Sequence, residues 1–520
     1  MKKTIIAILF LCVLNSCATH DAAEDPDNLN PVNSYFDLYF GSSYSNMFYH
    51  LFGNQISENL VDDSFTRQLA TPTPFLNGVN NTTYYITWNS YWDNVFLYVI
   101  APSEHVIGIA KSHNLPMFAN WGKFIQILAM SKLTAYHGPV IYSNYGSTGS
   151  TILYDKESDL YTRFFTELDS IQAVFKANKT YEYFKKYDTS YNGDVVKWMK
   201  VVNSMRLRLA IRISKVAPSV AKTQGEKAMS DPAGLITTNA DNFSVNLNGN
   251  ILPIAQICFN WDDTRMDAAM ESFLIGLKDN RISSFFQPAT DNTLYPEHPD
   301  YPYKGIRSGA YLDAKDQRLA FSKIANSFNS VTTRRYMTAA EVCFLNAEAA
   351  LRGWKDAGNA KEDYETGVRL SFEDWKATGV DTYLADATSK PIDYIDPKDS
   401  RNNFTTRSTI TVAWNEAVSP ELKLEKIISQ KWINNFTNSL ESWVDFRRTG
   451  YPKLPYNAKN DSNADWGIIA PNDFIKRMPF VDSERKNNAA GVADAVSKMG
   501  TGAKDDIATR LWWDTGASNF

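Results

Sequence analysis

The stretch from Met337 to Trp375, MTAAEVCFLNAEAALRGWKDAGNAKEDYETGVRLSFEDW, constrains this chain more than any other. Ala340, Phe344, Ala347 and Leu351 recur at intervals of four and three, the spacing of one helical face. Gly353, and Gly358 with Asn359, break the pattern. Ala360, Tyr364, Val368, Phe372 and Trp375 then resume it. Two amphipathic helices joined by a short turn predict an antiparallel hairpin. Small Ala347 and Ala350 let the second helix approach closely, which suits stacking in a helical-repeat solenoid. One hairpin in any α-rich domain has the same periodicity, and no repeat period is visible elsewhere. Spacing alone leaves both readings open.

The remaining long elements follow the same period. Leu160, Phe164, Leu168, Ile171 and Phe175 make a helix within 155–177 amphipathic. Trp198, Val202, Met205, Leu209 and Ile213 do so for 197–216, with Arg206, Arg208 and Arg212 mostly off that stripe. Those arginines are expected on a solvated face with acidic neighbours. Helices are also expected over 118–133 and 422–436, and from Trp88 through Tyr91, Trp92 and Val95. The aromatics Tyr35, Phe36, Tyr39, Phe40, Phe48 and Tyr49 suit a first buried helix or pair. Residues 62–81, 235–335 and 450–520 read as loop-rich, with strand-like alternation at 243–247.

The first residues give an address. MKKTIIAILFLCVLNSC has two lysines, a short apolar run and then a cysteine, the pattern of a secretory signal rather than a membrane span. Leu14-Asn15-Ser16-Cys17 resembles a bacterial lipobox, which implies cleavage after Ser16 and acylation of Cys17. Residues 1–16 are then the signal, 17–31 a polar, acidic tether, and 32–520 one domain. Loss of Lys2 and Lys3 takes the formal charge from −5 to −7, which gives no general attraction to nucleic acid. Cys258 and Cys343 remain and read as buried thiols.

No catalytic constellation rises above background. The six histidines form neither His-Glu-x-x-His nor a Cys/His cluster, so no metal site and no cofactor is expected. No Gly-x-Ser-x-Gly elbow or phosphate loop is present. Asp262-Asp263 and Asp445 could serve a glycosidase only as part of a facing carboxylate pair, which sequence does not show. Binding a sugar without chemistry needs flat aromatic faces rimmed by polar groups. Tyr295, Tyr301, Tyr303 and Tyr311 lie among prolines and glycines rather than on a periodic face. The candidate ligand contacts are Phe75, Tyr84, Tyr85, Tyr295, Tyr301 and Tyr303, with no catalytic residue.

Several segments together resemble the SusD/RagB family of outer-membrane lipoproteins. Ala340-Glu341-x-x-Phe344-x-x-Ala347-Glu348-Ala349 is similar to that family's Ala-Glu-x-x-Phe-x-x-Ala-Glu-Ala helix. Tyr191-Asn192-Gly193-Asp194, Gln430-Lys431-Trp432, Glu441-x-Trp443-x-Asp445-x-Arg447-Arg448-Thr449-Gly450, Arg477-Met478-Pro479-Phe480 and Leu511-Trp512-Trp513-Asp514 follow in the family's order. One segment departs: Leu133-Thr134-Ala135-Tyr136-His137-Gly138-Pro139 stands where the family carries Leu-Thr-Asp-x-Tyr-Gly-Asp. The resemblance implies an all-α body of tetratricopeptide-like helix pairs with a loop-rich region packed over it. It further implies a lipid-anchored protein at the cell surface that serves as a lid on a SusC-type TonB-dependent transporter. Such a lid captures a glycan, or in some members an oligopeptide, and breaks no bond.

Overall fold

The computed structural model describes residues 42–51 and 53–520. The signal, Cys17, the tether and the aromatics from Tyr35 to Phe40 lie outside them. After α1 (Ser42–Leu51) and several short helical turns, the long helices come in antiparallel succession: α2 (Ala101–Ser112), α3 (Pro116–His137), α4 (Glu157–Ala177), α5 (Val195–Arg212) and α6 (Pro218–Ser230). Each packs on the next. α7 (Ala268–Gly276) lies in the loop-rich region. The central hairpin is α8 (Ala339–Leu351) and α9 (Ala360–Asp374), against which packs α10 (Pro420–Asn434), followed by α11 (Ser439–Thr449) and α12 (Ala489–Lys498). The fold is the tetratricopeptide-like helical scaffold expected from the sequence.

Caps start the helices where the chain offers a side-chain acceptor. Thr338 Oγ1 accepts from the Glu341 amide at 3.2 Å, and Asn359 Oδ1 accepts from Lys361 and Glu362. Proline at the first turn of α3 and α10 sits where a missing N–H costs nothing. The α8–α9 hairpin closes at Gly367, where a Cβ would stand 2.8 Å from the Phe344 ring. A Cβ on Gly225 would stand 2.2 Å from Trp354, so this indole plugs the end of the hairpin into α6. One hydrophobic cluster runs from Tyr44 to Trp513. A small second cluster gathers Ala70, Leu294, Tyr295, Ile306 and Phe321. β-structure is slight. β1 (Leu69–Ala70) pairs antiparallel with β3 (Arg265–Met266), and β2 (Phe243–Asn246) with β4 (Thr333–Met337), Phe243 opposite Met337. Cys258 and Cys343 are buried free thiols. His137, in the departing segment, is also buried, and its Nδ1 donates to the Pro479 carbonyl at 2.9 Å.

The arginines of α5 correct the expectation. Arg206, Arg208 and Arg212 are buried, not solvated. Arg208 pairs with Glu341 of α8 at 2.7 Å and Arg212 with Glu441 of α11 at 2.9 Å. From there the ionic contacts continue. Lys431 of α10 meets Asp445 at 2.9 Å, Arg448 meets Asp445 at 2.8 Å and Glu348 at 2.6 Å, and Arg352 meets Glu348 at 2.8 Å. Four helices are thereby locked to one another through buried charge. Burial alone would raise the Glu348 carboxyl, but the charges and hydrogen bonds of Arg448 and Arg352 outweigh it and pull its pKa to about 2.

This gives a stability prediction. Glu348→Gln leaves Arg448 and Arg352 without their shared carboxylate and should cost about 3–5 kcal/mol, read by urea unfolding. In the wild type the pair's contribution is complete above the ordinary glutamate value of 4.5 and is lost as pH falls towards about 2, because the folded pKa is depressed. The variant should therefore lose less stability than the wild type over that window.

Candidate functional site

The loop-rich region carries one exposed indole. Trp261 is 47% exposed and follows the π-helical turn Gln256–Asn260. Its carbonyl accepts from Lys315 Nζ at 2.6 Å, and the same ammonium pairs with Asp263 at 2.7 Å. Asp263 also accepts from Thr73 Oγ1 at 2.5 Å and from Gln55 Nε2 at 3.0 Å. One carboxylate thus ties the turn beneath Trp261 to the loop 71–78 and to Lys315.

That loop is unusual. Leu76 and Asn77 both have left-handed backbone, with φ of 53° and 60°. Two consecutive non-glycine residues there are strained by roughly 1–2 kcal/mol each, and strain of this kind gathers at binding surfaces. The conformation is held from below: Asn80 Nδ2 donates to the Phe75 carbonyl at 3.0 Å and Lys459 Nζ to the Gly78 carbonyl at 2.6 Å. It lifts Leu76 into solvent at 56% exposure, while Phe75 lies half-buried, edge-on to Trp88 at 5.7 Å. A Cβ on Gly78 would be 3.7 Å from the Leu312 carbonyl, so the loop abuts the segment that begins at Tyr311. The Tyr311 ring is half-buried under the Arg401 guanidinium at 4.1 Å. Asn402 fixes the Tyr311 backbone from both sides, accepting from its N–H at 2.8 Å and donating to its carbonyl at 3.1 Å.

The residues singled out from sequence are spread over several environments. Phe75 belongs to the rim just described. Tyr85 is 38% exposed on the turn after Thr83, whose carbonyl accepts from the Asp461 amide. Tyr84 is 1% exposed, and its hydroxyl accepts from Arg67 Nη2 at 3.1 Å, so it lies within the core. Tyr295 and Tyr303 are buried, and Tyr301 is half-buried against the main core. Their loop is bolted to α7 by Glu271, which accepts from Lys304 Nζ at 2.9 Å, from the Gly305 amide at 2.6 Å and from His298 Nε2 at 3.1 Å. Burial works against protonation of His298, but the hydrogen bond and charge of Glu271 raise its pKa overall. Trp261 and Tyr311 were not among the candidates. Trp261 sits beside Asp262-Asp263, where acidic pairs draw the eye towards catalysis, and its exposure has no sequence signature. Among the described residues no cluster of His, Cys, Asp or Glu could hold a metal ion, and no helix is long and apolar enough to cross a membrane.

Comparison with known proteins places the whole body. The SusD-like family model, described as Susd and RagB outer membrane lipoprotein, matches residues 29–514. A chitin-binding SusD homologue from Flavobacterium johnsoniae is 36% identical with a TM-score of 0.87, covering 93% of this chain and 100% of that one. A SusD homologue from Bacteroides uniformis is 34% identical with a TM-score of 0.83 over 92% of this chain and 99% of its own. A SusD-like protein from Bacteroides thetaiotaomicron is 31% identical with a TM-score of 0.82 over 91% and 98%. No curated protein matches the chain.

The Glu271 bolt yields a local prediction. Glu271→Ala leaves buried Lys304 with only Glu297 at 3.7 Å and should cost about 3 kcal/mol. Hydrogen exchange of the amides in 295–305 should rise, with Tyr301 and Tyr303 gaining solvent access, whereas Tyr85→Ala should leave stability within about 0.5 kcal/mol of the wild type.

Proposed function

Because the chain belongs to the SusD-like family of outer membrane lipoproteins, we propose that it captures a glycan at the cell surface and delivers it to a SusC-type TonB-dependent transporter. The exposed Trp261, set on a turn that Lys315 and Asp263 hold still, carries this reading. A flat indole in water, ringed by hydrogen-bonding groups, suits the apolar face of a pyranose better than it suits solvent. Lys315 lies beside it, and Asn77 on the adjoining loop and Arg401 over Tyr311 supply further polar groups for hydroxyls. Phe75, Leu76 and Tyr311 extend the surface, and Tyr85 lies on the neighbouring turn.

The three acids singled out for a glycosidase are engaged in ion pairs. Asp262 pairs with Lys323 at 2.5 Å and Arg265 at 3.3 Å; partial burial opposes ionisation, and these partners nonetheless hold its pKa below the usual carboxylate value. Asp263 carries the loop contacts, and Asp445 lies inside the buried ionic lattice. Binding without bond cleavage accounts for all three. One relative is described as chitin-binding, so β-linked N-acetylglucosamine oligomers are the first ligands to try. Cys17, once acylated, supplies the anchor.

Two measurements test this reading. Calorimetry of the protein from Ala18 onward, against chitin oligomers, other plant, host and microbial glycans and a peptide digest, should give heat with a glycan. Trp261→Ala should then weaken binding roughly 10- to 100-fold. Heat only from the peptides would assign the chain to oligopeptide capture. Silence from every ligand together with no co-purified barrel would overturn the proposal. Separately, Cys17→Ser should abolish acylation and move the protein out of the outer-membrane fraction.

A further inference from the structure

A cavity that shares no residue with the Trp261 surface lies where β2, β4 and the end of the central hairpin meet the 3₁₀ turn Asn326–Ser330. It measures about 380 Å³, a volume in the range of small-molecule sites. Trp375 and Phe328, both buried, form its apolar wall. Arg335 of β4 lines it as well, with its guanidinium 4.1 Å from the centre of the Trp375 ring. Arg335 Nε pairs with Asp374 Oδ2 at 3.1 Å, and Nη2 reaches the Asp374 carbonyl at 3.5 Å. Its Nη1 meets no acceptor among the described residues.

Lys376 also lines the cavity, and its ammonium has no ion pair among the described residues. Two cations therefore face one carboxylate, Asp374, in a chain whose formal charge is −5. Burial lowers the Arg335 pKa, and Asp374, the charge acting against this, offsets it only in part. Ser244, Thr333 and Thr437 complete the polar side, and their hydroxyls make no hydrogen bond among the described residues. Thr437 has a φ of 70°. A β-branched residue in the left-handed region is an outlier, and such backbone gathers at ligand clamps. The Thr437 carbonyl accepts from Arg334 Nη2 at 2.5 Å, which fixes the turn.

We infer that this cavity is a second binding site and takes a sugar acid, one monosaccharide unit with its carboxylate on Arg335 and its hydroxyls on Ser244, Thr333 and Thr437. The inference stands apart from glycan capture at Trp261. A guanidinium presents a fork of N–H donors that matches a carboxylate. Stacking on Trp375 and the pair with Asp374 hold that fork in place before a ligand arrives. A neutral sugar leaves the surplus positive charge unanswered, and a bare anion leaves the hydroxyls unanswered. Trp375 and Phe328 give the apolar face of a sugar ring a wall to lie on.

The test uses the full chain with Cys17→Ser, so that no lipid is attached. Saturation-transfer NMR titrations compare glucuronate, galacturonate and N-acetylneuraminate with glucose and acetate. Saturable binding is expected for at least one of the sugar acids, roughly 10-fold or more tighter than for glucose or acetate, and it should weaken as salt is raised. Arg335→Gln should weaken it roughly 10- to 100-fold. Thr333→Val keeps the β-branched shape and removes one hydroxyl, and should weaken it roughly 3- to 10-fold at an unchanged melting temperature. Trp261→Ala should leave it unchanged. Thermal melting checks each variant, and should Arg335→Gln fail to fold, Thr333→Val decides. No saturable binding of any sugar acid, equally tight binding of glucose or acetate, or full binding by either folded cavity variant would each overturn the inference. Loss of binding in Trp261→Ala would place the acids on the loop surface and overturn it too.

Discussion

The buried ionic lattice between α5, α8, α10 and α11 is the constraint on which the rest of the structure depends. Taking an ion out of water costs several kcal/mol even after relaxation. Arg208, Arg212, Glu341, Glu348, Lys431, Glu441, Asp445 and Arg448 are all buried, so each must find its counter-charge or the fold is lost. An apolar interface tolerates some sliding of one helix over another. Charges that must meet within hydrogen-bond distance do not. Arg208 contacts Glu341 of α8 and stands 3.8 Å from Glu441 of α11, while Lys431 stands 3.8 Å from Glu341, which closes the contacts into a ring. Register and crossing of four helices are fixed by this one ring.

The same device recurs at smaller scale in the loops. Glu271 holds the 295–305 segment, Asp263 holds the 71–78 loop and Lys315, and Asp396 pairs with Arg318 at 2.6 Å while accepting the Lys398 and Asp399 amides. Irregular backbone cannot satisfy its own polar groups as a helix does, so each loop is closed by a carboxylate that gathers amides and ammonium groups. A binding surface made of loops thereby acquires the rigidity of the scaffold beneath it. This is what allows Leu76 and Asn77 to remain left-handed and Trp261 to remain in solvent.

The helices were legible from sequence because burial imposes a period, and Leu160 to Phe175 or Trp198 to Ile213 display it. The partners of the off-stripe arginines were not legible. A guanidinium at such a position reads the same whether it faces water or a carboxylate on a helix more than a hundred residues away. What the family resemblance contributed can now be given a cause: Glu341, Glu348, Lys431, Glu441, Asp445 and Arg448, all inside the quoted segments, are the lattice itself. The loop aromatics were least legible. Tyr295 and Tyr303 look like surface rings among prolines, yet Glu271 turns their loop inward; Trp261 carries no pattern that marks it as exposed, yet it stands in solvent. Direction in a loop is set by tertiary bonds, which carry no local pattern. The signal, the lipobox and the first aromatics fall outside the described residues.

The ring-bearing loops sit on a body whose parts are coupled through buried charge. The helices are joined across the scaffold: Trp354 seated on Gly225 couples the hairpin to α6, and Arg208 and Arg212 couple α5 to α8 and α11. A body whose interior must keep eight charges in register cannot bend gradually between its ends.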